Sequence, residues 1–93
     1  MRVKVRFFTT LRELVGEREV EVEFAGDTVK ELLKHLSEKY GRKFVEYVYD
    51  ETGDVRKYLI LLVNGRSITC LERFETKLKD NNIIAILPPV GGG

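Results

Sequence analysis

The chain has 93 residues, 43% of them hydrophobic and 33% charged: apolar enough for one core and too short for two. Sixteen Lys and Arg against fifteen Asp and Glu leave a formal net charge of +1, which excludes a basic nucleic-acid arm and an acidic tail. No apolar run approaches the ~20 residues of a membrane span, Cys70 has no second cysteine to bridge, and one His with one Cys cannot cage zinc. The expectation is a cytoplasmic protein with no metal, no nucleic-acid partner and no membrane partner. The alternating start, Met1-Arg2-Val3-Lys4-Val5-Arg6, is not the continuous apolar stretch of a signal peptide.

Val3, Val5 and Phe7 alternate with Arg2, Lys4 and Arg6, the period of a half-buried strand. Val20, Val22 and Phe24 alternate with Glu19, Glu21 and Glu23 in the same way. Antiparallel pairing of these strands sets a basic row beside an acidic one, worth roughly 0.2–1 kcal/mol per pair. A solvated sheet face therefore accounts for these charges. Between them, Thr10 and Glu13 fit a capping box and Gly16 a left-handed stop, which predicts one or two helical turns.

The principal helix is predicted over 28–40. Thr28 and Glu31 form a second T-x-x-E box, and Val29, Leu32, Leu33, Leu36 and Tyr40 recur on one stripe before Gly41. His35 falls off that stripe and reads as an exposed helix residue, not a base. Residues 44–58 hold Phe44, Val45, Tyr47, Val48 and Tyr49, then the turn-forming Asp50-Glu51-Thr52-Gly53-Asp54, and read as a hairpin-like excursion. A third strand is predicted over 58–63, a turn at Asn64-Gly65, and a short return strand over 66–68. Phe74 and Leu78 allow one helical turn, Asp80-Asn81-Asn82 another turn, and 83–87 the last strand. Cys70 reads as a small buried or half-buried hydrophobe.

This order predicts an α+β layer with one helix across one face of a single sheet. The third and last strands are apolar at every position, and Phe8 breaks the alternation of the first strand. In a sheet covered on one face, such strands leave hydrophobic side chains on the other. An exposed apolar patch of that kind marks a partner surface.

The sequence closes on Leu87-Pro88-Pro89-Val90-Gly91-Gly92-Gly93. The prolines hold the segment extended, the glycines strip its tip of side chains, and six residues reach at most roughly 20 Å. Such a tail can thread a narrow channel and present a carboxylate to another protein. A glycine run alone also fits a frayed end.

The ending Ile86-Leu87-Pro88-Pro89-Val90-Gly91-Gly92-Gly93 resembles that of the MoaD/ThiS family of ubiquitin-like sulfur carriers, above all the small subunits of molybdopterin synthase. Val5-Arg6-Phe7-Phe8-Thr9 and Leu11-Arg12-Glu13-Leu14-Val15-Gly16 resemble that family's Phe-Phe and Arg-Glu-Leu-Val-Gly segments, and Thr28-Val29 and Val63-Asn64 fall in family order. Residues 43–58 are longer than usual, and Gly91 stands where Thr, Ser or Ala is common. The resemblance implies a ubiquitin-like β-grasp over 1–87, with a mixed four- to five-stranded sheet, and an extended, flexible glycine-rich tail over 88–93. It implies that an E1-like adenylating enzyme uses ATP on the Gly93 carboxylate, that a sulfur donor protein converts it to a thiocarboxylate, and that the tail then enters a larger molybdopterin synthase subunit. No cofactor is held stably, and catalytic acids and bases belong to the partners. By the same analogy Phe8, Ile60, Leu62 and Leu87 face outward as the docking patch, with Arg12 and Arg66 beside them. Two other destinations remain open: sulfur delivery to tRNA or attachment to protein lysines, and an adaptor role with no tail chemistry.

Overall fold

A computed structural model of the chain describes residues 1–88. Strand β1 (Arg2–Phe7) runs antiparallel to β2 (Glu19–Glu23), with Val3 opposite Val22 and Val5 opposite Val20. All of Val3, Val5, Phe7, Val20, Val22 and Phe24 are buried, as the alternation predicts. On the outer face the register sets Arg2, Lys4 and Arg6 against Glu23, Glu21 and Glu19. Arg6 Nε donates to Glu19 Oε1 at 2.8 Å, and Arg2 reaches Glu23 at 3.5 Å. The guanidinium of Arg6 holds the Glu19 carboxyl below its usual range.

Strand β5 (Ile83–Leu87) runs parallel to β1, pairing Phe7 with Ile86, and carries β3 (Ile60–Val63) antiparallel on its other side. The two-residue β4 (Arg66–Ser67) closes the order β2-β1-β5-β3-β4, a five-stranded mixed sheet. Asn64 and Gly65 both take positive φ, 49° and 83°, the turn in which Asn-Gly joins two strands without splaying them. The third strand is two residues shorter than predicted, because Tyr58 and Leu59 still belong to a turn. The return strand stops at Ser67, and Ile68–Cys70 forms a 3-10 turn instead.

Helix α1 (Thr9–Val15) spans about two turns and ends at Gly16, whose φ of 89° makes the expected left-handed stop. The Thr10–Glu13 capping box does not form. Phe8 occupies the N-cap and Thr10 lies inside the helix, where its hydroxyl cannot reach the unpaired first-turn N–H groups.

Helix α2 (Val29–Tyr40) crosses the inner face and buries Val29, Leu32, Leu33 and Leu36 in one cluster with β1, β2, β3 and β5. Its capping box forms as predicted. Glu31 N–H donates to Thr28 Oγ1 at 3.2 Å, while Glu31 Oε1 accepts from the N–H of Asp27 and of Thr28 and from the Thr28 hydroxyl. Gly26 is required there: its φ is 130°, and a Cβ would stand 2.7 Å from the Glu31 carboxyl carbon. His35 is half-buried, not exposed, because its ring packs 6.2 Å from that of Phe24.

The region after Gly41 departs most from expectation. Arg42–Val48 is a helix, α3, rather than the first arm of a hairpin. Phe44 and Val48, four residues apart, are both fully buried, and Arg42 pairs with Glu46 one turn on. Only the later part is hairpin-like: Tyr49 bridges Val55 across a turn in which Asp50 Oδ1 accepts from the N–H groups of Thr52 and Asp54. Phe74 sits in a 3-10 turn (Arg73–Glu75), and Leu78 is buried outside any helix. Cys70 is exposed, correcting the reading of it as a buried or half-buried hydrophobe: in its 3-10 turn Ile68 is the residue that turns into the core.

The packing and the cap set the expected effect of three substitutions on stability. Leu33 is 1% exposed, so Leu33→Ala is expected to cost about 2–5 kcal/mol in urea unfolding. Thr28→Ala is expected to cost about 1 kcal/mol through loss of the cap. The Asp27 N–H above all, then the Thr28 hydroxyl, lower the Glu31 carboxyl below its usual range. A depressed carboxylate stabilises the fold above its unfolded-state pKa, and that stability is lost as pH falls through the folded value. Glu31→Gln is therefore expected to flatten the acid limb of a stability-versus-pH curve.

Candidate functional site

The outer face of the sheet divides into two halves. Toward β2 it is charged; toward β3 it is apolar, because Ile83, Ala85 and Leu87 of β5 and Ile60 and Leu62 of β3 all stand partly exposed there. The register makes these rows neighbours: Ile60 lies opposite Leu87 and Leu62 opposite Ala85. Phe8 completes the patch. Its backbone is extended (φ −131°, ψ 151°), so after Phe7 turns inward Phe8 turns outward, at the level where Leu87 ends β5. The geometry of alternation is thus kept at Phe8, and only its residue type departs from the basic row.

Phe8, Leu62, Ile83, Ala85 and Leu87 line a shallow groove of about 530 Å³. Asn64 pins its far end: the Asn64 N–H donates to the Ile83 carbonyl and the Ile83 N–H donates to Asn64 Oδ1, each at 2.8 Å. Arg6 forms the polar rim, already held by Glu19. Arg12, on α1, is half-buried in an adjoining depression with Phe8 and Arg18, and forms no ion pair among the described residues. Arg66 is exposed and does not line the groove. It lies directly opposite Val63, a core residue, while its neighbour Ser67 is the one opposite Leu62.

Of the residues singled out in the sequence, Phe8, Leu62 and Leu87 are therefore brought together, with Ile60 beside Leu87 and Arg12 behind Phe8. Ile83, Ala85 and Asn64 were missed. Once Leu87 is assigned to the outer face, period 2 along β5 yields Ala85 and Ile83; nothing in the sequence signals the Asn64 clasp. Pro88, half-buried, follows the groove directly. Pro89, Val90, Gly91, Gly92 and Gly93 lie outside the described residues.

A mixed sheet of order β2-β1-β5-β3-β4, with β1 and β5 parallel at its centre and one long helix across its inner face, is the architecture of ubiquitin-like β-grasp proteins. The ThiS family model matches residues 5–93, and the chain belongs to the ThiS family. Small archaeal modifier protein 3 of Haloferax volcanii is 33% identical over 94 residues, covering 100% of both chains. The molybdopterin synthase sulfur carrier subunit of Caenorhabditis briggsae is 34% identical over 91 residues, covering 98% of this chain and 96% of that one. Among solved structures, small archaeal modifier protein 1 of Methanosarcina acetivorans superposes with a TM-score of 0.82 at 39% identity, covering 99% of this chain and 96% of that one. The protein is thus a member of the sulfur carrier and ubiquitin-like modifier family. Among the described residues, no helix is long and apolar enough to cross a membrane.

Proposed function

We propose that the chain carries sulfur on the carboxylate of Gly93 and delivers it to a pterin acceptor as the small subunit of a molybdopterin synthase. The family match that runs through Pro88-Pro89-Val90-Gly91-Gly92-Gly93 carries this reading. A carboxylate is a poor electrophile until its oxygen becomes a leaving group. An E1-like enzyme supplies that: a carboxylate oxygen of Gly93 attacks the α-phosphorus of ATP and pyrophosphate leaves. A sulfide equivalent from a donor protein then attacks the acyl carbon, AMP leaves, and the thiocarboxylate remains. Its sulfur is anionic at neutral pH and more nucleophilic than oxygen.

The apolar groove supports the docking half of this reading. Phe8, Leu62 and Leu87 offer the E1-like enzyme and the larger synthase subunit a rigid apolar surface at the point where the tail begins, so one docking event sets the tail's direction. No proton-transfer role falls to this chain's side chains, and the work is carried out in a cytoplasmic compartment where thiols stay reduced.

The modifier names among its relatives favour a second destination, transfer of the Gly93 acyl group to a protein lysine. Mass spectrometry of the protein purified from its native cell separates the readings. A terminal thiocarboxylate, heavier by the difference between sulfur and oxygen, supports sulfur carriage. Gly93 found in isopeptide linkage to lysine supports modification. An unmodified tail under both conditions, with and without molybdate in the medium, overturns both and leaves an adaptor.

A further inference from the structure

A second groove, of about 560 Å³, runs between the turn at 55–57 and the 3-10 turns of residues 68–75. Its floor is the outer edge of β3. Strand β4 pairs with β3 only at Leu62 and Val63, through Ser67 and Arg66, and the chain then leaves the sheet as a 3-10 turn. Ile60 and Leu61 are therefore left without a strand neighbour on that side among the described residues. An unpaired edge is a template for another extended chain. The sheet's opposite edge, β2, is guarded by the exposed Glu19, Glu21 and Glu23. The β3 edge carries no such acidic row and lies along the floor of the groove, between its two walls.

The chemistry of the walls is one-sided. Val55, Ile68 and Phe74 supply apolar surface, and Arg56, Lys57 and Arg73 supply three cations, with no carboxylate among the lining residues. The Arg56 guanidinium is anchored to α3, donating from Nε and Nη2 to the Glu46 carbonyl at 3.3 and 3.2 Å. Arg73 is held at φ 53°, a left-handed conformation uncommon for a non-glycine residue.

We propose that this groove binds an extended, acidic segment of a partner protein, which adds to β3 as a sixth strand alongside Ile60 and Leu61. Four or five residues at about 3.3 Å each span roughly 15 Å, which suits the groove's volume. Main-chain hydrogen bonds supply the affinity, alternate side chains pack against Phe74 and Ile68, and the cations select carboxylates. The site goes beyond the sulfur-carrier reading. It shares only Ile60 with the outer apolar face, so it would give a partner a second contact apart from that face.

The test is an amide-shift titration of the isotope-labelled full chain with an acetylated octapeptide of alternating Val and Asp. Saturable shifts are expected at Ile60, Leu61, Ile68 and Phe74. Binding is expected to weaken about fivefold or more in Arg73→Glu and in the exposed-turn variant Lys57→Glu, and equally for a Val-Lys peptide, since rim charges govern selection. Of two peptides N-methylated on alternate residues, the one blocked toward β3 is expected to bind at least about tenfold more weakly, because its ladder donors are gone. Shifts confined to Phe8, Leu62 and Leu87, equal binding of the Val-Lys peptide, or indifference to N-methylation would each overturn the proposal. So would a single-stranded RNA oligonucleotide that perturbs the same residues more tightly than the peptide. None of these outcomes bears on the thiocarboxylate, which the mass measurement tests separately.

Discussion

Deletion of Gly93 is expected to abolish ATP-dependent activation while leaving the thermal midpoint unchanged. Every strand pair and the entire buried cluster of the described fold lie within residues 1–87, so none of these includes the residue removed. Activation is different in kind. In the proposed reaction the carboxylate must stand at one reach from the docked domain, and misplacement by about 1 Å costs on the order of 100-fold through lost orientation. Removing one residue withdraws the carboxylate by up to ~3.5 Å, well past that tolerance. Gly92→Val is expected to damage activation nearly as much, through a Cβ placed in a channel shaped for bare backbone. ATP–pyrophosphate exchange with the cognate E1-like enzyme measures both variants directly. Undiminished exchange by the Gly93 deletion would sink the carrier and modifier readings together.

What could be read from the sequence follows from where the local signal is unambiguous. The opening pair of strands was legible because charged and apolar residues alternate without a slip, and the structure pairs Arg2, Lys4 and Arg6 with the three glutamates in the register that alternation requires. The second capping box was legible because Thr28 precedes a full apolar stripe. The first box failed although its spacing is the same: Phe8 and Thr9 were free to start the helix earlier, and a two-turn helix has too little pattern to fix its own boundary. Residues 42–48 failed for the complementary reason. Phe44, Val45, Tyr47 and Val48 are apolar on more than one face, so periodicity cannot choose between helix and strand, and burial of Phe44 and Val48 against the core makes the choice. Outward parity on β3 and β5 was illegible for the same cause. Both faces are apolar, and only the register with β1 shows that Leu87 and Ala85 turn away from the helix.

Phe8→Asp is expected to weaken association with the E1-like enzyme and with the larger synthase subunit about 30-fold or more, with the fold intact. Phe8 is only half-buried and stands outside the core cluster, whereas its neighbour Phe7 is 1% exposed, so the substitution removes no core packing. Its backbone is extended and serves the N-cap of α1 without any side-chain hydrogen bond, a position Asp occupies readily. The cost therefore falls on the interface. A carboxylate carried into an apolar groove lined by Leu62, Ala85 and Leu87 loses its water there, and the one guanidinium that lines the groove, Arg6, is already held by Glu19. Loss of a central aromatic anchor alone costs about 2 kcal/mol or more. Calorimetric titration gives the affinity and a thermal melt gives the control. If Phe8→Asp unfolds, Phe8→Ala keeps the question open to measurement, since it removes the anchor without burying a charge. Wild-type affinity in a folded variant would show that the partner docks elsewhere on the sheet.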